Sequence, residues 1–400
     1  MQHFHNPQAH TQLEYTLRMS QILSLPKFYE AKHVISQWID YQITPLYRLE
    51  TLAEEFGISS LLYKDESSRF GLGSFKALGG AYAVYRMLCA EIEHQFGEKI
   101  QSLVELQQAK WQLFCGKLTV TTATDGNHGR SVAWGAQMFG VNCVIYIHRH
   151  VSQGRELAIR ELGAEIVRVK GNYDDSVRQA MQDATNSNWS LISDTSFEGN
   201  TDIPCDVMQG YTIMVDEVLQ QLSAEELPTH VFVQGGVGGL AAAVCAHLWL
   251  KLKSSRPRFI IVEPEKAACL YSSSKNQRLT TVTGDLDTLM VGLACGEVST
   301  LAWEILETGC DDFITVSDDF VPVSMNRLAT GNSQTGKIIA GESAVAGLCA
   351  LFEMMNSDFR SALGLNLHSR VLLFGTEGAT DKTIYRQLVD GVDIPGRANV

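Results

Sequence analysis

Residues 229–250 read THVFVQGGVGGLAAAVCAHLWL and contain the pattern that decides the fold class. The β-branched and aromatic run Thr229–Gln234 predicts a strand, and the glycines after it predict a turn into a helix. Val231–Leu250 carries no formal charge and has the length of a membrane span. Glycines at 235–236 and 238–239 interrupt it, so a strand–turn–helix unit is the better prediction.

The same alternation of strand and helix extends outward over most of the chain. Short β-branched or apolar runs predict strands at 60–64, 118–122, 142–147, 165–169, 189–192, 229–234, 259–262, 313–316 and 370–374. Longer segments predict helices at 75–90, 126–139, 153–162, 173–184 and 206–222. Strands that alternate with helices imply parallel sheets covered by helices on both faces, so the predicted fold class is α/β.

The composition argues against several classes of protein. The chain has 400 residues, and its 45% of apolar residues is enough for a real core. Its 32 Lys and Arg against 45 Asp and Glu give a formal charge of −13, which argues against a nucleic-acid surface. The N-terminal MQHFHNPQAHTQ lacks the basic start and apolar stretch of a signal peptide. We therefore expect a cytoplasmic protein with no nucleic-acid or membrane partner.

Nine cysteines and three N-terminal histidines raise the question of disulfide or metal sites. No cysteine pair has Cys-x-x-Cys spacing, which argues against zinc ribbons and redox dithiols. A disulfide such as Cys269–Cys295 stays open, although a cytosolic location makes disulfides uncommon. We interpret His3, His5 and His10 as part of a floppy polar terminus, and we expect no metal site.

The segment SRFGLGSFKALGGAYAV, residues 68–84, places Lys76 in the first turn of a predicted helix, with Ser74 as its N-cap. Small and apolar residues surround this lysine in the sequence. Because desolvating an ammonium is costly, a lysine in such a pocket loses its proton readily and becomes a nucleophile. The alternative is a lysine that extends from the helix end into solvent, and this segment alone favours that alternative.

A second helix start follows the strand at 118–122, in Thr121–Gly129 (TTATDGNHG). Exposed N–H groups and the helix dipole favour an anion there, Thr124 adds a hydroxyl, and Asn127 can donate to a phenolate-like oxygen. The alternative is a capping turn with Asp125 as N-cap. The Asp125 carboxylate is unusual for a pure anion site, and it favours a cationic or proton-donating group in the ligand.

The glycine turn of the opening segment, Gly235–Gly239, allows successive N–H groups to converge on a phosphate. Read as Gly236-x-Gly238-x-x-Ala241, it also fits the dinucleotide fingerprint, with Glu263 as the ribose-binding acid. This alternative predicts an oxidoreductase. A match of this kind is weak when it stands alone.

Two further side chains follow predicted strands, at the sheet edge where α/β proteins bind ligands. Thr376 offers a hydroxyl after the strand at 370–374, and Asp194 closes the strand at 189–192. Each alone is typical of a turn. A helix-start lysine, an asparagine at a second helix start, a phosphate-binding turn and a strand-end hydroxyl are together what pyridoxal phosphate needs.

On these motifs the chain resembles the fold-type II (tryptophan synthase β-like) pyridoxal-phosphate enzymes. SFKALGG is similar to the cofactor-lysine motif of that superfamily, and TDGNHG to the Ser-x-Gly-Asn-His motif of serine and threonine dehydratases. The motif TATDGNHGR, with Asp125 before the glycine, is similar to the motif of the diaminopropionate ammonia-lyase branch of this superfamily. Val237 interrupts the four-glycine run common in the superfamily, but the phosphate role rests on backbone N–H groups. The resemblance covers nearly the whole chain, from Thr44 to Gly378.

The resemblance implies a larger open, mostly parallel sheet with helices on both faces, and a smaller inserted α/β domain. Composition alone leaves this arrangement as one option. The expected large domain combines residues 1–84 and 212–400, and the expected small domain covers 85–211. The resemblance also implies a homodimer.

The resemblance further implies a lyase that converts 2,3-diaminopropionate, in both D and L forms, to pyruvate and two ammonia. The expected catalytic residues are Lys76, Asp125 and Asp194. The expected contacts to pyridoxal 5′-phosphate are Lys76 as the Schiff base, Phe75, Asn127, Gly235, Gly236, Val237, Gly238, Gly239 and Thr376. The expected substrate contacts are Thr124, Asp125, Gly126, His128 and Asp194.

Three alternatives stay open on the sequence. A serine or threonine dehydratase, or a β-replacement enzyme, shares Lys76 and the glycine turn but differs at Asp125. A dinucleotide-dependent oxidoreductase leaves Lys76, Asn127 and Thr376 without a role. A non-catalytic metabolite-binding protein of the same fold needs no reactive lysine.

Overall fold

The structure is a computed structural model, and it describes residues 1–124, 126–197, 199–331, 336–355 and 357–391. Its strands are β1 (Gln2–His5), β2 (Leu46–Arg48), β3 (Ser60–Asp65), β4 (Thr119–Ala123), β5 (Asn142–His148), β6 (Glu165–Val169), β7 (Ser190–Leu191), β8 (His230–Gln234), β9 (Arg258–Pro264), β10 (Asp312–Val316) and β11 (Arg370–Gly375). Its helices are α1 (Leu17–Ile22), α2 (Leu25–Ile35), α3 (Glu50–Glu55), α4 (Lys76–Phe96), α5 (Leu103–Leu106), α6 (Ala109–Cys115), α7 (Asn127–Phe139), α8 (Gln153–Arg160), α9 (Tyr173–Ser187), α10 (Asp202–Gln221), α11 (Gly239–Leu252), α12 (Cys269–Asn276), α13 (Thr300–Gly309), α14 (Phe320–Thr330), α15 (Ala346–Met354), α16 (Phe359–Ala362) and α17 (Lys382–Asp390).

Every strand and helix predicted from the sequence is present. The ends differ by a few residues, most of all at α4, which continues to Phe96 instead of ending at residue 90. Gly97 ends this helix in the left-handed conformation, with φ 68°. The apolar stretch 231–250 divides between β8 and α11 as predicted, and no helix in the described ranges is long and apolar enough to cross a membrane.

The chain divides into two compact units. The large unit contains Met1–Gln21, Ile43–Ser74 and Met214–Val400, and the small unit contains Ile22–Gln42 and Phe75–Ile213. The small unit begins before residue 85 because α4 is one continuous helix from Lys76 onward. It also includes the segment around α2, for which no sequence pattern indicated a separation from residues 1–84.

The large unit is built on a sheet with the strand order β1-β10-β9-β8-β11-β3-β2. Its five central strands are parallel, whereas β1 pairs antiparallel with β10 and β2 pairs antiparallel with β3. Strands β8 and β10 are buried along their whole length, as expected where helices cover both faces of a sheet. The prediction of a larger, mostly parallel sheet is confirmed.

The N-terminus contradicts the prediction of a floppy polar segment. Gln2–His5 forms the edge strand β1, and His3 Nε2 and His5 Nδ1 lie 2.9 and 3.1 Å from Oδ1 of Asp312. The physical reason is that the edge of β10 offers unpaired backbone groups and a buried carboxylate that needs partners. The sequence QHFH has no clear apolar alternation, so its pattern does not reveal the strand.

The small unit contains a separate sheet with the order β6-β5-β4-β7, in which all neighbours are parallel. Helices α7 and α9 pack on strands β4 and β5. Val144, Tyr146 and Ala180 belong to the buried apolar cluster between this sheet and α9. The prediction of a second, smaller α/β sheet is therefore confirmed.

Two adjacent glycines bring three helices of the small unit close together. A Cβ at Gly79 on α4 would lie 2.4 Å from Cε1 of Tyr211 on α10. A Cβ at Gly80 would lie 2.5 Å from Oγ of Ser131 on α7. Any side chain at either position would force these helices apart. The Gly79-Gly80 pair thus fixes where the start of α4 lies relative to α7 and α10.

Candidate active site

Lys76 lies in the first turn of α4, as predicted, and is its first residue, but Ser74 is not the N-cap. Phe75 holds the cap position, and its side chain has no atom that could accept a hydrogen bond. Ser74 instead pairs with Glu377 in an isolated antiparallel bridge of the large unit. The first turn of α4 is secured by Ser131, whose Oγ donates to the carbonyl oxygen of Lys76 at 2.7 Å.

The Lys76 ammonium contacts a carboxylate. Its Nζ lies 2.5 Å from Oδ2 of Asp194, which follows β7. The ammonium also lies 5.6 and 5.9 Å from the ring centroids of Phe75 and Tyr211. Ionic and aromatic partners therefore hold the side chain on the protein. This geometry contradicts the alternative of a lysine that extends into solvent.

Asp194 is ionised, and His128 beside it is neutral. Burial alone would raise the pKa of Asp194, but the neighbouring Lys76 ammonium lowers it well below its usual range. Burial lowers the pKa of His128. Its Nε2 donates to the carbonyl oxygen of Ile192 at 2.8 Å, and its Nδ1 lies 3.9 Å from Oδ2 of Asp194. In the neutral imidazole, Nδ1 therefore carries a lone pair.

The turn before α7 is held together by Thr124. Its Oγ1 accepts hydrogen bonds from the N–H groups of Gly126 and Gly129, both at 3.0 Å. A Cβ at Gly129 would lie 2.3 Å from Cγ2 of Thr124, so only glycine fits there. Gly126 holds the N-cap position and Asn127 is the first residue of α7. Asp125 lies outside the described residues, and its role stays a prediction.

The glycine turn of the large unit joins β8 to α11. Gly236 and Gly238 adopt positive φ values of 62° and 98°, which residues with side chains rarely adopt. The N–H groups of Gly236, Val237 and Gly239 form no hydrogen bond with the part of the chain that the structure describes. These donors at the start of a 14-residue helix suit the oxygens of a phosphate group.

Thr376 lies directly after β11, the neighbour of β8 in the sheet. The side chain of Gln234, at the end of β8, donates from Nε2 to the carbonyl oxygen of Phe374 at 2.7 Å. Thr376 is buried, and its hydroxyl forms no hydrogen bond with a described residue. A hydroxyl and free N–H groups thus lie at the same sheet edge, a donor set that fits a phosphorylated ring cofactor.

Glu263 does not have the position of a ribose-binding acid. Its carboxylate accepts hydrogen bonds from the N–H groups of Leu270 at 3.0 Å and Tyr271 at 2.7 Å, at the start of α12. The residue is fully buried. The dinucleotide alternative therefore loses the acid on which it depended, because that acid caps a helix.

None of the nine cysteines, all of which lie in the described ranges, forms a disulfide. The pairing of Cys269 with Cys295, left open by the sequence, is therefore absent. The Cys269 thiol instead donates to the carbonyl oxygen of Gly236 at 3.4 Å, which adds support to the glycine turn.

The comparison with family models excludes two of the alternatives that the sequence left open. Residues 38–373 match the family described as pyridoxal-phosphate dependent enzyme. The chain belongs to this family. Pyridoxal phosphate is therefore its cofactor, and the dinucleotide and non-catalytic alternatives are excluded.

Curated relatives place the chain within this pyridoxal-phosphate family. Diaminopropionate ammonia-lyase of Escherichia coli strain K12 is 41% identical over 354 residues, which are 87% of each chain. The protein of the same name from Salmonella typhimurium is 37% identical over 359 residues, or 88% of each chain. A biosynthetic L-threonine dehydratase of Haemophilus influenzae is 26% identical, with 52% of its length matched. The chain belongs with the diaminopropionate ammonia-lyases.

Solved structures of this pyridoxal-phosphate family agree with the fold. The crystal structure of holo diaminopropionate ammonia lyase from Escherichia coli, in its selenomethionine form, matches with a TM-score of 0.88 and 38% identity, over 98% of this chain and 97% of that one. The same enzyme has been solved in complex with D-serine and with an aminoacrylate-PLP azomethine reaction intermediate, with TM-scores of 0.87 and 0.86. The fold-type II prediction is confirmed.

The sequence analysis missed two residues, one that lies beside Lys76 and one that lies beside Thr376. Tyr211 borders the Lys76 ammonium from within a long apolar helix. Glu377, next to Thr376, accepts a hydrogen bond from the N–H of Ser343 at 3.2 Å. Neither has a local motif, because each is brought to its place by packing between distant segments.

Proposed function

We propose that this chain eliminates ammonia from 2,3-diaminopropionate, in both D and L forms, and releases pyruvate and two ammonia. The observation that carries the proposal is the Lys76–Asp194 pair beside the neutral His128. The reaction needs an amine that accepts a proton from Cα and a carboxylate that stabilises an ammonium on Cβ. The chain is 41% identical to an enzyme named for this chemistry, which supports the substrate.

The assigned cofactor contacts follow from the donors described above. When bound, pyridoxal phosphate supplies an electron-withdrawing ring that stabilises negative charge at the substrate Cα. Lys76 provides the amine that binds it covalently. The free N–H groups of Gly236, Val237 and Gly239 would hold the phosphate, whereas Gly235 and Gly238, whose N–H groups donate to the carbonyl oxygens of Val262 and Gly235, shape the turn around it. Thr376 would contact the ring nitrogen and Asn127 the ring hydroxyl, and Phe75 flanks the lysine.

As the neutral amine, Lys76 Nζ accepts the Cα proton of the L isomer and becomes the ammonium that Asp194 holds at 2.5 Å. The positive charge on Nζ in turn keeps the pKa of Asp194 low. We assign to Asp125 the face of the substrate opposite Lys76, where its carboxylate accepts the Cα proton of the D isomer. The remaining substrate contacts are assigned to Thr124, Gly126 and His128.

The leaving group explains why carboxylates are needed. An amide anion is far too basic to depart, so the β-nitrogen must leave as neutral ammonia from an ammonium. A carboxylate close to Cβ stabilises that ammonium in the bound substrate, and Asp125 and Asp194 take this role. Assistance of this kind typically contributes about 10²–10⁴-fold to the rate.

A serine or threonine dehydratase is the alternative, and the 26% identical threonine dehydratase supports it at a distance. The test is an absorbance spectrum of the purified protein from about 300 to 550 nm, before and after adding DL-2,3-diaminopropionate, serine or threonine, with pyruvate assayed at the end. We expect a cofactor band that shifts most with diaminopropionate and yields pyruvate. A band that responds only to serine and threonine would establish the dehydratase.

Lys76→Ala tests the assignment of the cofactor lysine. This variant should lose the cofactor band and the pyruvate formation, whereas Lys117→Ala, an exposed lysine of the same unit, should keep both. Full activity in Lys76→Ala would rule out the proposed role of this side chain.

We also propose that the chain is a cytoplasmic homodimer, as its resemblance to the fold-type II enzymes implies. Light scattering coupled to size-exclusion chromatography should give twice the chain mass of 44.2 kDa. A mass of one chain at micromolar concentration would contradict the dimer.

A further inference from the structure

Glu263 is a buried carboxyl group beside the glycine turn that the proposed mechanism does not use. Its side chain is 0% exposed. A Cβ at Gly235 would lie 2.5 Å from Cγ of Glu263 and 3.1 Å from its Oε1. The carboxyl group therefore lies directly against the backbone of the turn. Gly235 is required by this contact, since its own φ is not positive.

The partners of Glu263 do not include a positive charge. Oε1 accepts from the N–H of Leu270 and is 3.8 Å from the thiol of Cys269, and Oε2 accepts from the N–H of Tyr271. No lysine or arginine forms an ion pair with it in the described ranges. Burial outweighs these hydrogen bonds and raises the pKa of Glu263 to about 8.

Within the part of the chain that the structure describes, the carboxyl group of Glu263 contacts two backbone N–H groups and a thiol but no charged side chain. Its neighbour on β10 is Thr315, and burial keeps the Cys269 thiol of α12 neutral by raising its pKa. The lysine of α12, Lys275, lies over the ring of Tyr271, 5.5 Å from its centroid. The carboxyl group thus responds mainly to charges brought to the turn.

A bound phosphate brings such a charge. Above about pH 7 a phosphate monoester is largely a dianion, because its second pKa is near 6. Like charges held close together in a buried site cannot both stay ionised, since their repulsion is little screened there. We propose that Glu263 carries a proton whenever the phosphate of the cofactor occupies Gly235–Gly239, so that phosphate binding is coupled to proton uptake. This inference rests on the phosphate assignment made under the proposed function.

The sign of the coupling follows from linkage. If the carboxyl pKa is higher with phosphate bound than without it, binding takes up a proton between the two pKa values. Affinity for the phosphate then falls as the pH rises, by about tenfold per pH unit above about pH 8. The affinity for pyridoxal, which lacks the phosphate, should show no pH dependence that arises from Glu263.

The test uses cofactor-free wild-type protein and isothermal titration calorimetry at about pH 9, in buffers of different ionisation enthalpy. Pyridoxal phosphate should take up close to one proton more than pyridoxal, since proton changes at Lys76 are common to both ligands. Equal proton uptake by the two ligands would overturn the inference. Equal affinity for the two ligands at every pH would instead contradict the phosphate assignment itself, and the inference with it.

Glu263→Gln is the matched variant, because it keeps the size and the acceptor oxygen but cannot ionise. The affinity of this variant for pyridoxal phosphate should change less than threefold between about pH 7 and pH 9.5, relative to pyridoxal. Glu265→Gln, at a half-exposed glutamate just beyond β9, should retain the wild-type slope. A wild-type slope in Glu263→Gln would overturn the inference, and if this variant fails to fold, the wild-type proton count decides alone.

Discussion

At the scale of single residues, the Lys76–Asp194 contact is the feature on which turnover should depend most directly. Asp194→Asn keeps the shape of the side chain and removes the charge that orients Nζ at 2.5 Å. We expect kcat on L-2,3-diaminopropionate to fall by about 10²–10⁴-fold. Steady-state pyruvate formation measures this.

The control for Asp194→Asn is Asp183→Asn. Asp183 accepts a hydrogen bond from Tyr146 Oη at 2.6 Å, elsewhere in the same unit, so its loss should leave kcat nearly unchanged. Equal kcat values for Asp194→Asn and the wild type would show that Lys76 needs no carboxylate partner.

The two isomers of the substrate separate the roles of Asp125 and Lys76. Asp125→Asn removes the carboxylate assigned to the face opposite the lysine, so the rate on the D isomer should fall more than the rate on the L isomer, by at least about tenfold. Rates on the purified isomers, compared within one preparation, give this ratio directly. If the rates on the two isomers fall by the same factor, a residue other than Asp125 accepts the Cα proton of the D isomer.

At the scale of helices, the close approach of α4 and α10 at Gly79 carries a prediction about stability. In Gly79→Ala the new methyl group would lie 2.4 Å from the ring of Tyr211 and 2.6 Å from the carbonyl oxygen of Val207. Overpacking of this kind costs about 1–3 kcal/mol of unfolding free energy. Denaturant unfolding of the two proteins measures it, and the cofactor affinity should fall too, because the start of α4 is displaced.

Gly154→Ala is the control for this overpacking. Gly154 lies on the exposed side of α8, and the nearest atom to an added Cβ is 4.0 Å away. Alanine favours a helix over glycine by up to about 1 kcal/mol, so this variant should be as stable as the wild type or slightly more so. A Gly79→Ala variant as stable as Gly154→Ala would mean that the helices can separate at little cost.

The strands also show which elements of the fold can be predicted from local sequence patterns and which cannot. The parallel strands were predictable because each is a short apolar run followed by a turn, as in β8 and its glycines. Strand β1 was not predictable, because its pairing depends on the edge of β10 and on Asp312, which are both far away in the sequence. The same distinction holds at the site, where Lys76 and Thr376 have local motifs but Tyr211 is defined only by packing.

At the scale of the whole molecule, a buried charge network joins distant segments of the large unit. Arg69 donates to Glu66 from Nε at 2.8 Å and to Glu217 from Nη1 at 2.9 Å and Nη2 at 2.7 Å. Lys64 Nζ donates to the same Glu217 at 2.7 Å. These side chains are at most 3% exposed. The network therefore links β3, the strand that precedes Lys76 in the chain, to helix α10, which precedes β8.

Arg69→Met should destabilise the protein by about 3–5 kcal/mol, because two buried carboxylates lose their shared partner. Arg48→Met is the control, since the Arg48–Glu226 pair is close to half exposed and water screens a surface pair of this kind, so its loss should change stability little. Denaturant unfolding at neutral pH compares the two variants with the wild type. Equal stabilities of the two variants would show that the buried network contributes no more than a surface pair.

The pH dependence of this loss distinguishes unpaired charge from lost packing. Burial alone would raise the pKa of Glu217, but Arg69 and then Lys64 lower it below its ordinary value of 4.5. The stabilisation by the network is therefore present above about pH 4.5 and is lost as the pH falls through the lower, folded-state pKa. In Arg69→Met this pKa rises, so the stability gap to the wild type should be largest at neutral pH and shrink below about pH 4.5. Because a packing defect does not titrate, a gap of constant size across this range would assign the effect of Arg69 to its volume.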